Sequence, residues 1–515
     1  MISFDYCLLA EWPPLAWAAE CVPSSPVITV YHGSKVETRE AWFCEAVWDG
    51  DYESGGFDQT DLVFGSGARI RDEQATFVSS GTTLDRLQAV HYEGGVWVSN
   101  SLACLLAITD AKLDPSSTEY LPHIGTIAKG FRRYERELAV STGTVRFMYF
   151  NNLRWDGTTL TDLDKPDDRR DFSTFAKYND FLLGSLGSIA SNMAAPGRRN
   201  PYQMLGTLSS GYDSTTTTVL AHKVGLREVI SFSNARGGLA DDGKDIADLL
   251  GIRHSTISRS GWKSLDLAEV PFIASDAKGE DVYFSAAEEL LQGRVLLTGF
   301  YGDKVWARGN LQPDPTVVRG DRAGLSLTEY RLWAGFIHLP LPFMGVRQLG
   351  DINAISDSPE MAPWDIPGDY SRPICRRIVE GAGVSRGMFG TSKKAASVLY
   401  GKRKDSFSPA TRDALYQWLR SHSSLWASKG KTPPYKASRL LERFHWPYSI
   451  LKRGLYVLGR ISPLPFGTRL QGLSRRLESF EHRLNPLLYA FPWAIEEAKK
   501  SYRAFAKHRK HWKEA

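Results

Sequence analysis

From Asp171 to about Gly309 the chain changes rhythm, and that change restricts its fold more than any single motif does. Phe172–Met193 carries apolar residues at helical spacing. Short apolar runs and helical stretches then alternate. Gln203–Leu208 is followed by a helix through His222, and Glu228–Asn234 by a helix over Asp241–Leu250 that Gly251 stops. His254–Ser258 reads as a third strand, Ala286–Leu291 as a helix and Arg294–Thr298 as a fourth strand. Such alternation predicts a mostly parallel sheet with helices on both faces.

Residues 1–165 have another texture. Runs such as Pro26–Tyr31, Gly95–Val98 and Thr144–Phe150 stand among Gly, Asp and Asn, which favours strands and hairpins. Ser99–Ile108 reads as a short helix with Ser or Asn as its cap. Thr161–Asp171, with one Pro and almost no apolar residue, reads as a boundary that adds nothing to a core. Beyond residue 310 the pattern is mostly helical, and from 431 onward Lys and Arg outnumber Asp and Glu three to one. The expectation is an α/β chain with an α+β, β-rich first domain (1–165), a parallel-sheet domain (171–430) and a basic helical extension (431–515).

Composition narrows the class. Apolar and charged fractions of 42% and 23% exclude wholesale disorder. A net charge of +5 over 515 residues gives no reason to expect a nucleic-acid partner. The five cysteines are scattered, with no CxxC pair, and read as reduced thiols. The first residues lack a basic n-region, and no uncharged apolar run reaches the ~18–20 residues that span a bilayer. A cytoplasmic protein is expected.

Two turns carry the chemistry. After QMLGTL come Ser209, Ser210, Gly211, Tyr212, Asp213 and Ser214, where a strand gives way to a helix. Free N–H groups and the dipole of a helix start favour anions, Gly211 permits close approach, and the hydroxyls of Ser209 and Ser214 can donate to phosphate oxygens. It is not a Walker A loop, because no Lys follows the glycine. An ordinary capped Ser/Gly turn would look the same locally. A second strand, RVLLT, ends in Gly299, Phe300, Tyr301, Gly302 and Asp303. In open α/β sheets ligands gather at the carboxyl ends of strands, so both turns belong on one edge. Asp213 and Asp303 could then share a magnesium ion.

Leu208–Ser214 (LSSGYDS) resembles the SGGxDS loop of the asparagine synthetase class of ATP pyrophosphatases, and Leu296–Trp306 (LLTGFYGDKVW) resembles their GxGxDE turn. Arg372–Lys394 is similar to the segment that brings a catalytic lysine to the nucleotide. Gly94–Ile108 and Ser141–Phe147 are more weakly similar to the end of the family's glutaminase domain. The resemblance covers about residues 100–400. It implies an Ntn-hydrolase-like first domain and a PP-loop domain of the adenine nucleotide alpha hydrolase type. It also implies ATP and Mg2+ as cofactors, and a reaction in which a carboxylate is adenylated and an amine or ammonia then displaces AMP.

Carried over by position, Leu208, Ser209, Ser210, Gly211, Asp213, Ser214 and Gly299 would hold the nucleotide and its pyrophosphate. Asp213 and Asp303 would bind the metal, and Lys393, with Lys394 as neighbouring candidate, would neutralise charge at the α-phosphate. Strand Glu228–Asn234 would contribute to the adenine pocket, with Ser231 and Ser233 as contacts. Four positions depart from the pattern, one of them Lys304, which replaces the second acid of the GxGxDE turn. Residue 2 is Ile2 rather than the nucleophilic Cys, so the first domain is expected to be a degenerate glutaminase relative. Ser210 replaces a glycine, and Phe300 stands where asparagine synthetases carry Glu. Phe cannot take a proton from an incoming amine. Tyr301 is the polar candidate for that task, one register away from the tyrosine of β-lactam-forming relatives.

The leading expectation is an AMP-forming amide ligase acting on a small-molecule or peptide carboxylate with an amine donor or a separate ammonia source. The resemblance to surface-polysaccharide variants points to a sugar acid. Cyclases of the β-lactam synthetase or lasso-peptide type, and a non-catalytic nucleotide-binding relative, remain open beside it, as does a homodimer. The basic, aromatic stretch from Trp446 to Arg476 admits peripheral membrane contact. The commoner alternative is a surface helix with its apolar face on the core.

Overall fold

The computed structural model describes residues 1–515 except 237, 239–240, 310–312, 369, 392–393, 401–406, 430–433, 464, 484, 504 and 506–515, with backbone alone over 434–446 and 478–483. The fold is mixed α/β, with a large β-rich N-terminal part, a separate all-parallel sheet, and helices.

The N-terminal part is two layers. One sheet is built from β1 (Ser3–Leu8), β2 (Trp17–Cys21), β3 (Val27–His32), β8 (Arg86–Tyr92), β9 (Gly95–Ser99), β10 (Glu137–Val140) and β11 (Gly143–Tyr149), in the order β1-β3-β2-β9-β8-β11-β10. The other holds β4 (Glu37–Arg39), β5 (Trp42–Trp48), β6 (Val63–Arg71), β7 (Gln74–Val78), β12 (Asn152–Trp155) and β13 (Leu160–Leu163), in the order β13-β12-β7-β6-β5-β4. The inner faces meet through Trp17, Phe43, Phe77, Val98 and Trp155, all fully buried. Strand β5 is buried along its whole length, which is why WFCEAVW shows no alternation. The short helix is Leu102–Ile108, and Ser101 caps it through the N–H of Cys104.

The parallel sheet is β14 (Gln203–Thr207), β15 (Glu228–Phe232), β16 (Arg253–Ile257), β17 (Arg294–Thr298) and β18 (Ile337–Pro340), in the order β16-β15-β14-β17-β18. The chain winds outward from β14 through β15 to β16, then crosses back to β17 on the other side. The winding therefore reverses between β14 and β17. At such a switch point the connecting loops diverge and leave a crevice at the carboxyl ends of the strands.

Two readings are incomplete. The stretch beyond 310, mostly helical as expected, also holds strand β18. Its four residues, IHLP, are all buried and flanked by glycine and prolines, so no alternation marks it. Thr161–Asp171 also belongs to the packed structure. Its start lies in β13, the Lys165 ammonium is 2% exposed and donates to the Ser79 carbonyl (2.6 Å) and Asn152 Oδ1 (2.8 Å), and Arg170 pairs with Asp61 at 2.6 Å.

The β-rich part and the parallel sheet share a core. Arg331, on helix Leu327–Ala334, pairs in the interior with Glu45 (2.5 Å) and Asp85 (3.0 Å) of the N-terminal part. Helices Pro434–Ile461 and Phe466–Arg483 pack on one another, and the chain then returns through Ala490–Ala498. Phe491 and Trp493 are fully buried, and the Tyr502 hydroxyl donates to Glu329 (2.7 Å). Described residues of this last stretch, Phe491, Trp493 and Tyr502 among them, thus pack into the core. Among the described residues, no helix is long and apolar enough to cross a membrane.

Candidate functional site

Strand β14 stops at Thr207 and helix Tyr212–Lys223 begins four residues after Leu208, so the intervening turn must be held by side chains. Thr215, fully buried, donates to the carbonyls of Ser209 (2.9 Å) and Gly211 (2.6 Å). The hydroxyls of Ser209 and Ser214 lie 2.7 Å apart, and the Gly211 N–H donates to Ser209 Oγ. Ser210 donates through its N–H and its hydroxyl to Asp241 Oδ1, at 3.2 and 2.9 Å. Its backbone is not in the left-handed region, so serine in place of glycine fits this turn without strain.

The second turn lies directly against the first. A Cβ at Gly299 would stand 2.7 Å from the Asp213 carbonyl oxygen, and one at Gly302 would stand 2.7 Å from Asp213 Cγ. Two glycines at this spacing let the turn after β17 touch the start of the Tyr212–Lys223 helix. Asp213 and Asp303 both line the resulting crevice, a cavity of about 670 Å³ at the switch point. Tyr301 adopts φ +74°, a conformation that glycine takes at less expense and that fits the second glycine of the GxGxDE pattern.

Cations gather at the same end. Lys394 Nζ donates to Ser210 Oγ (2.9 Å) and lies 3.9 Å from Asp241 Oδ1. Arg372, 7% exposed, donates from Nη1 to the Gly302 carbonyl (3.0 Å), with Nε 3.8 Å from Asp213 Oδ1. Burial alone would lower the guanidinium pKa, but Asp213, followed by Cys375 and Asp303, outweighs it and raises the value. The Asp241 carboxyl is pushed up by burial, against the hydrogen bonds from Ser210 and the charge of Lys394.

The cavity is lined as well by Ile230, Phe232 and Asn234 and by the polar residues Lys278, Glu280, Asp281, Asp321 and Arg322. Asp281 is fully buried. Its Oδ2 accepts from Ser326 Oγ (2.7 Å) and the Gly324 N–H (2.9 Å), while Oδ1 has no hydrogen-bond partner among the described residues. Burial pushes its carboxyl up to about 7, with Asp276 and Glu280 adding to the rise. A Cβ on Gly324 would meet the Phe300 ring at 2.8 Å, so the strand of loop that holds Asp281 rests on the residue standing where the resembled turn has Glu.

Among the residues singled out from sequence, Leu208, Ser209, Gly211, Asp213, Ser214, Gly299, Tyr301 and Asp303 line the cavity. Ser210 braces it from behind. Ser231 and Ser233 do not line it. The buried Ser231 hydroxyl donates to the Leu208 carbonyl (2.6 Å) and lies 2.9 Å from His254 Nε2, and Ser233 Oγ accepts from the Arg259 N–H. Ser231 therefore holds the turn rather than a base. The Tyr301 hydroxyl donates to the Val318 carbonyl (2.9 Å), its ring packs on Phe343, and burial raises its pKa. Its geometry is that of an anchor and not of a proton carrier. Lys393 lies outside the described residues, and Lys394 is the lysine that reaches the turn.

Arg372, Asp281 and Arg322 were not singled out from sequence. Asp281 and Arg322 sit in crossovers of the sheet without a motif, and Arg372 opens the segment resembling the lysine-bearing one, in which only Lys393 and Lys394 drew attention. A scan against family models and a search of curated proteins find no match to this chain.

Proposed function

We propose that the chain is an ATP-dependent, AMP-forming amide ligase of the asparagine synthetase type, with a PP-loop domain over 171–430 and a degenerate glutaminase-like domain over 1–165. One observation carries the reading. The anion-favouring turn Ser209–Ser214 and the acid-bearing turn Gly299–Asp303 meet at the switch point of one parallel sheet, inside a single cavity.

In this reading the N–H groups and hydroxyls of Ser209, Gly211 and Ser214 hold the pyrophosphate moiety of ATP. The hard oxygen donors of Asp213 and Asp303 suit magnesium, which takes one or two carboxylates plus phosphate oxygens and offsets phosphate charge when bound. Lys394 and Arg372 add positive charge at the same end, which favours an in-line attack by a carboxylate oxygen on the α-phosphate. The adenine lies along Ile230, Phe232 and Asn234. The charged part of the lining, with Lys278 and Arg322, suits a polar carboxylate such as a sugar acid.

The amine step needs a proton acceptor, and neither Phe300 nor the anchored Tyr301 is one. The departing AMP fills the role. The amine nitrogen forms the new C–N bond, the C–O bond to AMP breaks with its electron pair leaving on AMP, and the nitrogen proton passes to a phosphate oxygen of the leaving AMP.

The test is pyrophosphate release from ATP and Mg2+ with hexuronic acids and ammonium. Asp213→Asn is expected to lower the rate by about 100-fold or more. Unchanged turnover in that variant would sink the assignment.

A further inference from the structure

The helical hairpin formed by Pro434–Ile461 and Phe466–Arg483 exposes apolar side chains that its own packing does not need. Eight large apolar residues among those described there are about half exposed or more: Ile450, Leu451, Tyr456, Val457, Leu458, Ile461, Phe466 and Leu473. Elsewhere among the described residues, exposed large apolar side chains are scattered singly, from Met1 to Leu425, so this is a cluster.

The seam between the two helices lies elsewhere. It is made by Tyr448 donating to the Leu477 carbonyl (2.7 Å), Ser474 to that of Lys452 (3.1 Å) and Gln471 to that of Gly459 (2.9 Å), with Gly459 facing Gly467. At ~100° per residue, Ile450, Leu451, Val457, Leu458 and Ile461 fall within an arc of about 120°, on the side away from Tyr448, Lys452 and Gly459. The most exposed of the cluster, Ile461 (74%) and Phe466 (59%), stand at the hairpin tip.

Charge completes the pattern. Residues 447–477 contain Lys452, Arg453, Arg460, Arg469, Arg475 and Arg476 and no acid. We infer that this hairpin lies on an anionic lipid surface, its aliphatic stripe among the acyl chains and its cations at the headgroups. Amphipathic helices of this make-up bind in the interface plane, by apolar burial together with attraction to anionic lipid. A nucleic acid would gain from the cations but nothing from exposed Ile, Leu and Val, because base stacking uses aromatic faces. A second copy of the chain would bring a face of like charge.

The inference does not depend on the ligase reading. It is tested by flotation of the full chain with vesicles of phosphatidylcholine alone or mixed with phosphatidylglycerol. Binding is expected only to the mixed vesicles and to weaken with salt. The double variant Leu458→Glu, Ile461→Glu, both surface positions, is expected to reduce binding by tenfold or more, with unchanged circular dichroism. Failure to float with the mixed vesicles, or binding equal in the variant, would overturn the inference. So would binding of a single-stranded homopolymer, or a dimer seen by sedimentation, that the variant loses while lipid binding is absent.

Discussion

A carboxyl inside a protein is comfortable only when neutral or paired, and burial of the single residue Asp281 ties its contribution to stability to pH. Its folded pKa, near 7, stands above the ~3.9 of an unfolded aspartate. Between those values the folded chain holds a proton that the unfolded chain releases, so this group's favourable contribution is complete below about pH 4 and is lost as pH rises to about 7. Asp281→Asn removes the loss. Its stability relative to the parent should rise across that window and reach up to about 4 kcal/mol at pH 8, measured by urea unfolding at several pH values. A difference independent of pH would mean that the carboxyl is charged throughout. Nothing in KGEDVYF marks Asp281 for this role, because the desolvation comes from residues far along the chain. The serines show the opposite bias. Ser231 and Ser233 drew attention as polar side chains on a site strand, yet strand alternation turns them away from the cavity and leaves Ile230, Phe232 and Asn234 facing it.

At the scale of elements, the two turns were readable because their chemistry is local. A strand, small polar residues, an acid and a helix follow in sequence, and parallel strands fix which edge they share. Strand β18 was not readable, since four buried residues carry no period, and neither was the stitching role of Lys165. Glycine spacing, by contrast, reports contact between elements. Gly302 lies against the Asp213 side chain, so Gly302→Ala must push the β17 turn off the start of the Tyr212–Lys223 helix. The expected result is a drop of roughly tenfold or more in affinity for ATP with Mg2+, read by calorimetry, since a displacement near 1 Å in such a site can cost about two orders of magnitude in rate. Affinity equal to the parent's would show that Asp213 and the turn are not coupled.

At the scale of the molecule, a buried ion network helps to join the β-rich layers to the rest of the chain, beside the apolar core they share. Arg331 is 1% exposed and meets Glu45 and Asp85, which have few other means of staying charged in the interior. Burial pushes the Glu45 carboxyl up, and Arg331 works against that rise. Arg331→Met leaves two carboxylates without their cation and should destabilise the chain by about 3–5 kcal/mol in urea unfolding. A variant within about 0.5 kcal/mol of the parent would show that the two parts are joined by apolar contact alone.

The return of residues 486–505 also sets a timetable. Phe505 packs against Tyr31 and Trp97, and the Lys499 ammonium donates to the Ala111 carbonyl, so a later-made segment covers residues made far earlier. At ribosomal speeds of ~5–20 residues per second, the intervening stretch takes on the order of 20–80 s to emerge. Throughout synthesis the aromatic surface around Trp97 waits without its cover, which makes the nascent N-terminal sheets a natural client for chaperones.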